Sequence, residues 1–121
     1  MDADVYLFFA GRPRALELYE ALLARLEERS GPARERVRRT QVSLYDRRVF
    51  ACVSLPRRKA DGGLVLSVGL PYKLEEDRVF AAAEGYPGRW TNHIALSGPD
   101  DLDEGLLALL DEARAFADSK R

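Results

Sequence analysis

His93 is the chain's only histidine, and it stands in the run Trp90-Thr91-Asn92-His93-Ile94-Ala95-Leu96 beside the only tryptophan. Alternation along that run sends Thr91, His93 and Ala95 one way and Trp90, Asn92, Ile94 and Leu96 the other. The second set reads as core-facing, Asn92 included. An earlier segment alternates in the same manner, with Thr40, Val42 and Leu44 against Arg39, Gln41 and Ser43. Aligned strands would place Arg39, Gln41, Ser43, Ser67, Thr91 and His93 on one sheet surface. Arginine and histidine offer N–H donors to an anion, and glutamine and hydroxyls offer adaptable ones. The expected ligand is a small anion. The competing reading is an ordinary solvated sheet face.

Other chemistry has less support. Ser43 or Ser67 could act as a nucleophile with His93 as base, but the chain has no Gly-x-Ser-x-Gly elbow. An enzyme using His93 as acid or base is therefore the second reading, behind a non-enzymatic binding module. With one cysteine and one histidine, far apart, no metal site is expected. No Gly-rich loop matches a phosphate-binding fingerprint, and no cofactor is expected. Cys52, within Phe50-Ala51-Cys52-Val53, reads as a buried inert thiol. Trp90 and Tyr86 read first as core rings and second as an aromatic wall for a ligand or part of a homodimer contact.

Charge is unevenly spread. Residues 34–59 hold nine basic side chains and two acids, a local excess of +7 in a chain of net charge −1. Arg34, Arg36, Arg38, Arg39 and the loop Arg57-Arg58-Lys59 raise nucleic-acid binding as a third reading. Against it stand the acidic helices and the lack of aromatics interleaved with the block. Edge protection and pairing with those helices explain the block more simply.

The elements that must position these groups follow from periodicity. Leu16, Tyr19, Leu22, Leu23 and Leu26 form one stripe of a helix that starts near Pro13 and stops at Ser30-Gly31-Pro32. Val5 to Phe9 is a short apolar segment, a strand or a lead-in to the core. Strands are expected from about Val37, over Val49–Leu55 (covered on both faces), over Leu64–Leu70 and over Trp90–Leu96. Tyr72 to Glu84 reads equally as helix or strand. The last helix buries Leu102, Leu106, Leu109, Leu110, Ala113, Phe116 and Ala117, with Asp100 as its N-cap and Lys120 and Arg121 at its far end. Short connections favour sequential antiparallel pairing. The sum is one α+β domain over residues 1–121, an antiparallel sheet of four or five strands flanked by an N-terminal and a C-terminal helix.

The run Phe9-Ala10-Gly11-Arg12-Pro13, with Ala15-Leu16-x-Leu18-Tyr19-x-x-Leu22 after it, resembles the start of a family of small bacterial domains of unknown function. Thr40-Gln41-Val42-Ser43 leading to Arg48-Val49-Phe50-Ala51 matches the same family, as does Gly88-Arg89-Trp90-Thr91-x-His93 with Asp101-Leu102-Asp103-Glu104. The resemblance implies a compact α+β domain with a curved antiparallel sheet and no established activity. It also implies that a second histidine often stands where this chain has Asn92, so a paired-histidine site is not expected here. No apolar stretch is long enough for a membrane span, and Met1-Asp2-Ala3-Asp4 is acidic where a secretory signal is basic. The chain is expected in the cytoplasm.

Overall fold

The computed structural model describes residues 3–56 and 62–119. Their elements are α1 (Ala3–Phe8), α2 (Pro13–Ser30), β1 (Arg34–Val37), β2 (Val42–Tyr45), β3 (Val49–Ser54), β4 (Leu64–Leu70), β5 (Val79–Tyr86), β6 (Arg89–Leu96) and α3 (Glu104–Asp118), with a 3-10 turn at Pro99–Asp101. The class is α+β with an antiparallel sheet, as expected. The sheet has six strands, however, not four or five, in the order β1-β2-β3-β4-β6-β5.

The first additional strand is β1, whose sequence Arg34-Glu35-Arg36-Val37 lacks an apolar alternation. It is an edge strand, and only Glu35 and Val37 turn towards the helices. Glu35 accepts a hydrogen bond of 2.5 Å from the Tyr19 hydroxyl, which fastens the edge to α2. The second is β5, where the ambiguous segment resolves as strand. Its residues are half-buried at most, so it carries no core signature.

Sequential pairing holds from β1 to β4 and then fails. β6 lies between β4 and β5 because Asn92, Ile94 and Leu96 are buried and need covered neighbours. The 71–78 connection must therefore pass β6 to reach the outer position. Asn92 guides it: its Oδ1 accepts from the Leu74 N–H at 2.8 Å, and its Nδ2 donates to the Tyr72 carbonyl at 3.2 Å. The expectation that Asn92 points inward is met, and these bonds satisfy it there.

All three helices cover one face. Ala15, Leu18, Tyr19, Leu22 and Leu26 of α2 are buried, so its stripe is rotated from the expected one, with Leu16 and Leu23 only half-buried. Pro13 opens this helix, and Gly31, at φ 89°, lets the chain turn away after Ser30. In α3, Leu106, Leu107, Leu110, Ala113 and Ala117 are buried, while Leu109 and Phe116 are half-buried. Its N-cap is Asp103, whose carboxylate accepts from the Leu106 N–H at 2.8 Å. Asp100 does not cap it, because Pro99 opens a separate 3-10 turn that holds Asp100 one turn upstream. The Val5–Phe9 segment is helical, and Val5 and Phe9 reach the core. Arg57, Arg58, Lys59, Lys120 and Arg121 lie outside the described residues. Among the described residues, no helix is long and apolar enough to cross a membrane.

Candidate functional site

Among the described residues no helix covers the sheet's second face, and the strand register decides what is displayed there. Arg36 pairs with Ser43, Ser43 with Cys52, Cys52 with Ser67, Ser67 with His93, and His93 with Ala81. Six side chains on six adjacent strands thus form one straight row. Directly opposite residues in a sheet share a face. Ser67 and His93 touch within the row, with Ser67 Oγ 2.7 Å from His93 Nδ1. The Phe80 ring lies beside the imidazole, with 6.1 Å between centroids. Thr91 stands one row further on, opposite Gly69. Gln41 reaches in from the start of β2, its Nε2 3.3 Å from Cys52 Sγ, and Ser43 Oγ is 3.8 Å from the same sulfur.

The expected cluster is thus assembled in part. Gln41, Ser43, Ser67, Thr91 and His93 share the open face. Arg39 is the exception. With Thr40 it forms the tip of the β1–β2 hairpin, closed by the Arg38 N–H donating to the Gln41 carbonyl at 2.7 Å. Both residues are exposed, so Thr40 is not a core position. The expected strand began too early, and the guanidinium supplied to the row belongs to Arg36. Even Arg36 is four strands from His93, about 19 Å at ordinary strand spacing. One small anion cannot touch Arg36 and His93 together.

Cys52 also departs from expectation. It is half-buried at the centre of the open face, not enclosed in the core, and β3 is fully covered only on its helix side. Burial raises the thiol's pKa above its ordinary value, and the hydrogen bond from Ser43 offsets part of that. Trp90 and Tyr86 do not form a common wall. Trp90 pairs with Leu70 and Glu84 on the helix side, whereas Tyr86 pairs with Arg89, whose guanidinium lies 6.0 Å from the tyrosine ring centroid. Tyr86 is exposed.

At the far end of the face, Tyr45 pairs with Arg34 and lies next to Arg36. The guanidinium carbons stand 5.5 and 5.1 Å from its ring centroid. With Asp46, Arg47 and Arg48 of the β2–β3 turn they line a shallow depression. An aromatic ring does stand among the basic side chains. The sequence already sets Tyr45 two residues before Arg47, and the hairpin adds Arg34 and Arg36 to its other side.

A family model matches residues 7–117, nearly the whole chain. The chain belongs to the family described as a domain of unknown function, DUF5655. No curated protein and no solved structure matches it. The DUF5655 match spans every strand, all of α2, nearly all of α3 and only the last two residues of α1, so the row on the open face lies wholly within it.

Proposed function

We propose that the chain is a non-enzymatic binding module whose open sheet face holds an anionic ligand. The single observation behind this reading is the in-register row Arg36–Ser43–Cys52–Ser67–His93, left uncovered by any helix. Ser67, Thr91, Gln41 and His93 supply hydrogen-bonding groups along it beside the buried Ser43, and the arginines supply positive charge at one end. A small anion meets either the Ser67–His93 pair or the arginine end. A ligand that uses the whole face is elongated. Titrating inorganic phosphate and pyrophosphate while following the His93 ring and Thr91 methyl NMR signals tests the reading. Shifts confined to open-face side chains are expected. Shifts confined to the helix side, or none with either anion, would remove it.

The 2.7 Å contact between Ser67 and His93 favours a second reading, hydrolysis with Ser67 as nucleophile. Among the described residues no carboxylate bonds to the imidazole, and the pair lies on an open surface instead of a cleft. A fluorophosphonate probe separates the two readings. The binding module leaves Ser67 unlabelled, and stoichiometric labelling lost in Ser67→Ala would establish the enzyme.

A further inference from the structure

We infer that the arginine end of the open face, Arg34, Arg36, Arg47 and Arg48 around Tyr45, is a docking surface for a single-stranded nucleic acid. The inference rests on the open-face reading above and names its ligand. Its first ground is the state of the arginines. All four are exposed, and none forms an ion pair with an acid among the described residues. Pairing with the acidic helices, the simpler explanation of the basic block, does not occur for these four. Other cations hold acids on the helix side: Arg29 pairs with Glu104 and Asp111 of α3, and Arg78 with Glu76 and with Asp101 and Asp103 just before α3. The sheet separates the two charge populations. The net charge of −1 therefore understates the positive field on the open side.

The second ground is the kind of cation and its company. Guanidinium groups present a planar fork that fits phosphate oxygens two at a time, and they also stack on flat rings. Arg34 and Arg36 already lie over Tyr45. A ring set among phosphate-binding cations is the combination that holds unpaired bases and their backbone together. Asp46 is the one acid of the depression. Beyond it the row of Ser43, Cys52, Ser67 and His93 offers hydrogen-bonding edges, and exposed Phe80 and Tyr86 stand at the opposite border. The row crosses five strand spacings, about 24 Å, enough for several nucleotides.

Duplex DNA is the poorer fit. Its major groove takes a protruding helix or ribbon, and these arginines lie on a sheet face and in a short turn. An anionic bilayer is also the poorer fit. On the open face at this end the large exposed apolar side chain is Val49, while Phe80 and Tyr86 lie at the far border and exposed Tyr6 and Leu7 belong to α1 on the helix side.

The test uses the full chain and a labelled oligothymidylate of about 12 nucleotides, with binding measured by anisotropy across a salt series. Inorganic polyphosphate of matched charge and phosphatidylserine vesicles are the competitors. Binding to the oligonucleotide should weaken steeply with salt. Arg34→Ala with Arg36→Ala should lower the log–log salt slope by about 1.4, because each phosphate contact contributes about 0.7 on a single strand. Tyr45→Leu should cost roughly tenfold or more in affinity, and Tyr45→Phe should restore it. Equal affinity for polyphosphate, with Tyr45→Leu without effect, would overturn the nucleic-acid assignment and leave anion binding standing. Preferential capture by the vesicles would overturn it in favour of a membrane. No binding to the oligonucleotide or to polyphosphate would remove both this inference and the open-face reading on which it rests.

Discussion

Asn92 and His93 are neighbours on β6 and face opposite ways, and the contrast between them extends to the whole sheet. On the helix side Asn92 is fully buried and pins the 71–78 connection through two backbone groups. On the open side His93 is half-buried and bonds to one hydroxyl. The arginines divide in the same way. Arg25 donates to the Leu102 carbonyl, Arg29 joins α2 to α3, Arg78 anchors the start of β5, and Arg114 donates to the Ser30 carbonyl. Arg34, Arg36, Arg47 and Arg48 join no two elements through an ion pair. Polar groups that bond between elements hold a fold together, and exposed ones without such bonds leave their capacity for another molecule.

The sharpest way to break this contrast is at β6. Asn92→Ala should lower the urea-derived stability by about 2–4 kcal/mol, because it empties a fully buried site and leaves the part-buried Leu74 N–H and Tyr72 carbonyl without their partner. His93→Ala should cost less than about 1 kcal/mol. Equal losses would show that the open face carries structure after all. The arginines give the next largest effect. Arg78→Ala should cost about 1–2 kcal/mol, whereas Arg34→Ala should change stability by no more than about 0.5 kcal/mol.

Asp103 refines the helix side of the comparison. The Leu106 N–H holds its carboxyl below the ordinary carboxylate pKa, with Arg78 adding to the effect. The cap's contribution is thus complete above the ordinary value of about 3.9 and is lost as pH falls through the lowered one. Asp103→Ala should cost about 1 kcal/mol at neutral pH. Acid unfolding of Asp103→Asn should show a shallower dependence on pH below about 4. The smallest effect reports on the open face. Cys52 should react slowly with a disulfide reagent at pH 8, since burial keeps its thiol protonated, and much faster in denaturant. A ligand lying over the row should slow it further.

The sequence announced the parts of the fold with strong periodicity. Both long helices, β4 and β6 could be placed from their apolar spacing, and Asn92 could be turned inward by its neighbours. What escaped notice was an edge strand made of charges, since an edge needs few buried side chains, and for the same reason the alanine-rich segment of β5 read equally as helix or strand. The site followed the same logic. Parity alone put Ser43, Ser67 and His93 on one face. Arg39 was misplaced because a four-residue hairpin turn interrupts the alternation. Arg36 was missed because it joins the row only across a strand pair, and Cys52 because its neighbours are apolar; Tyr45, two residues before Arg47, was already legible. Strand order, which separates the arginines from His93, is set by long-range packing and leaves no local trace.

That order has one more outcome. β1 to β4 and β5 to β6 are meanders of strands adjacent in the chain, and the β4–β6 ladder, from Leu64 with Leu96 to Leu70 with Trp90, is their one join. A polypeptide cut between Glu75 and Glu76 would yield two fragments with whole hairpins, joined by that seam within the sheet and by the packing of α3 on β3, β4 and α2. Their reassembly would report, in a single complementation measurement, how firmly the two halves of the molecule recognise each other.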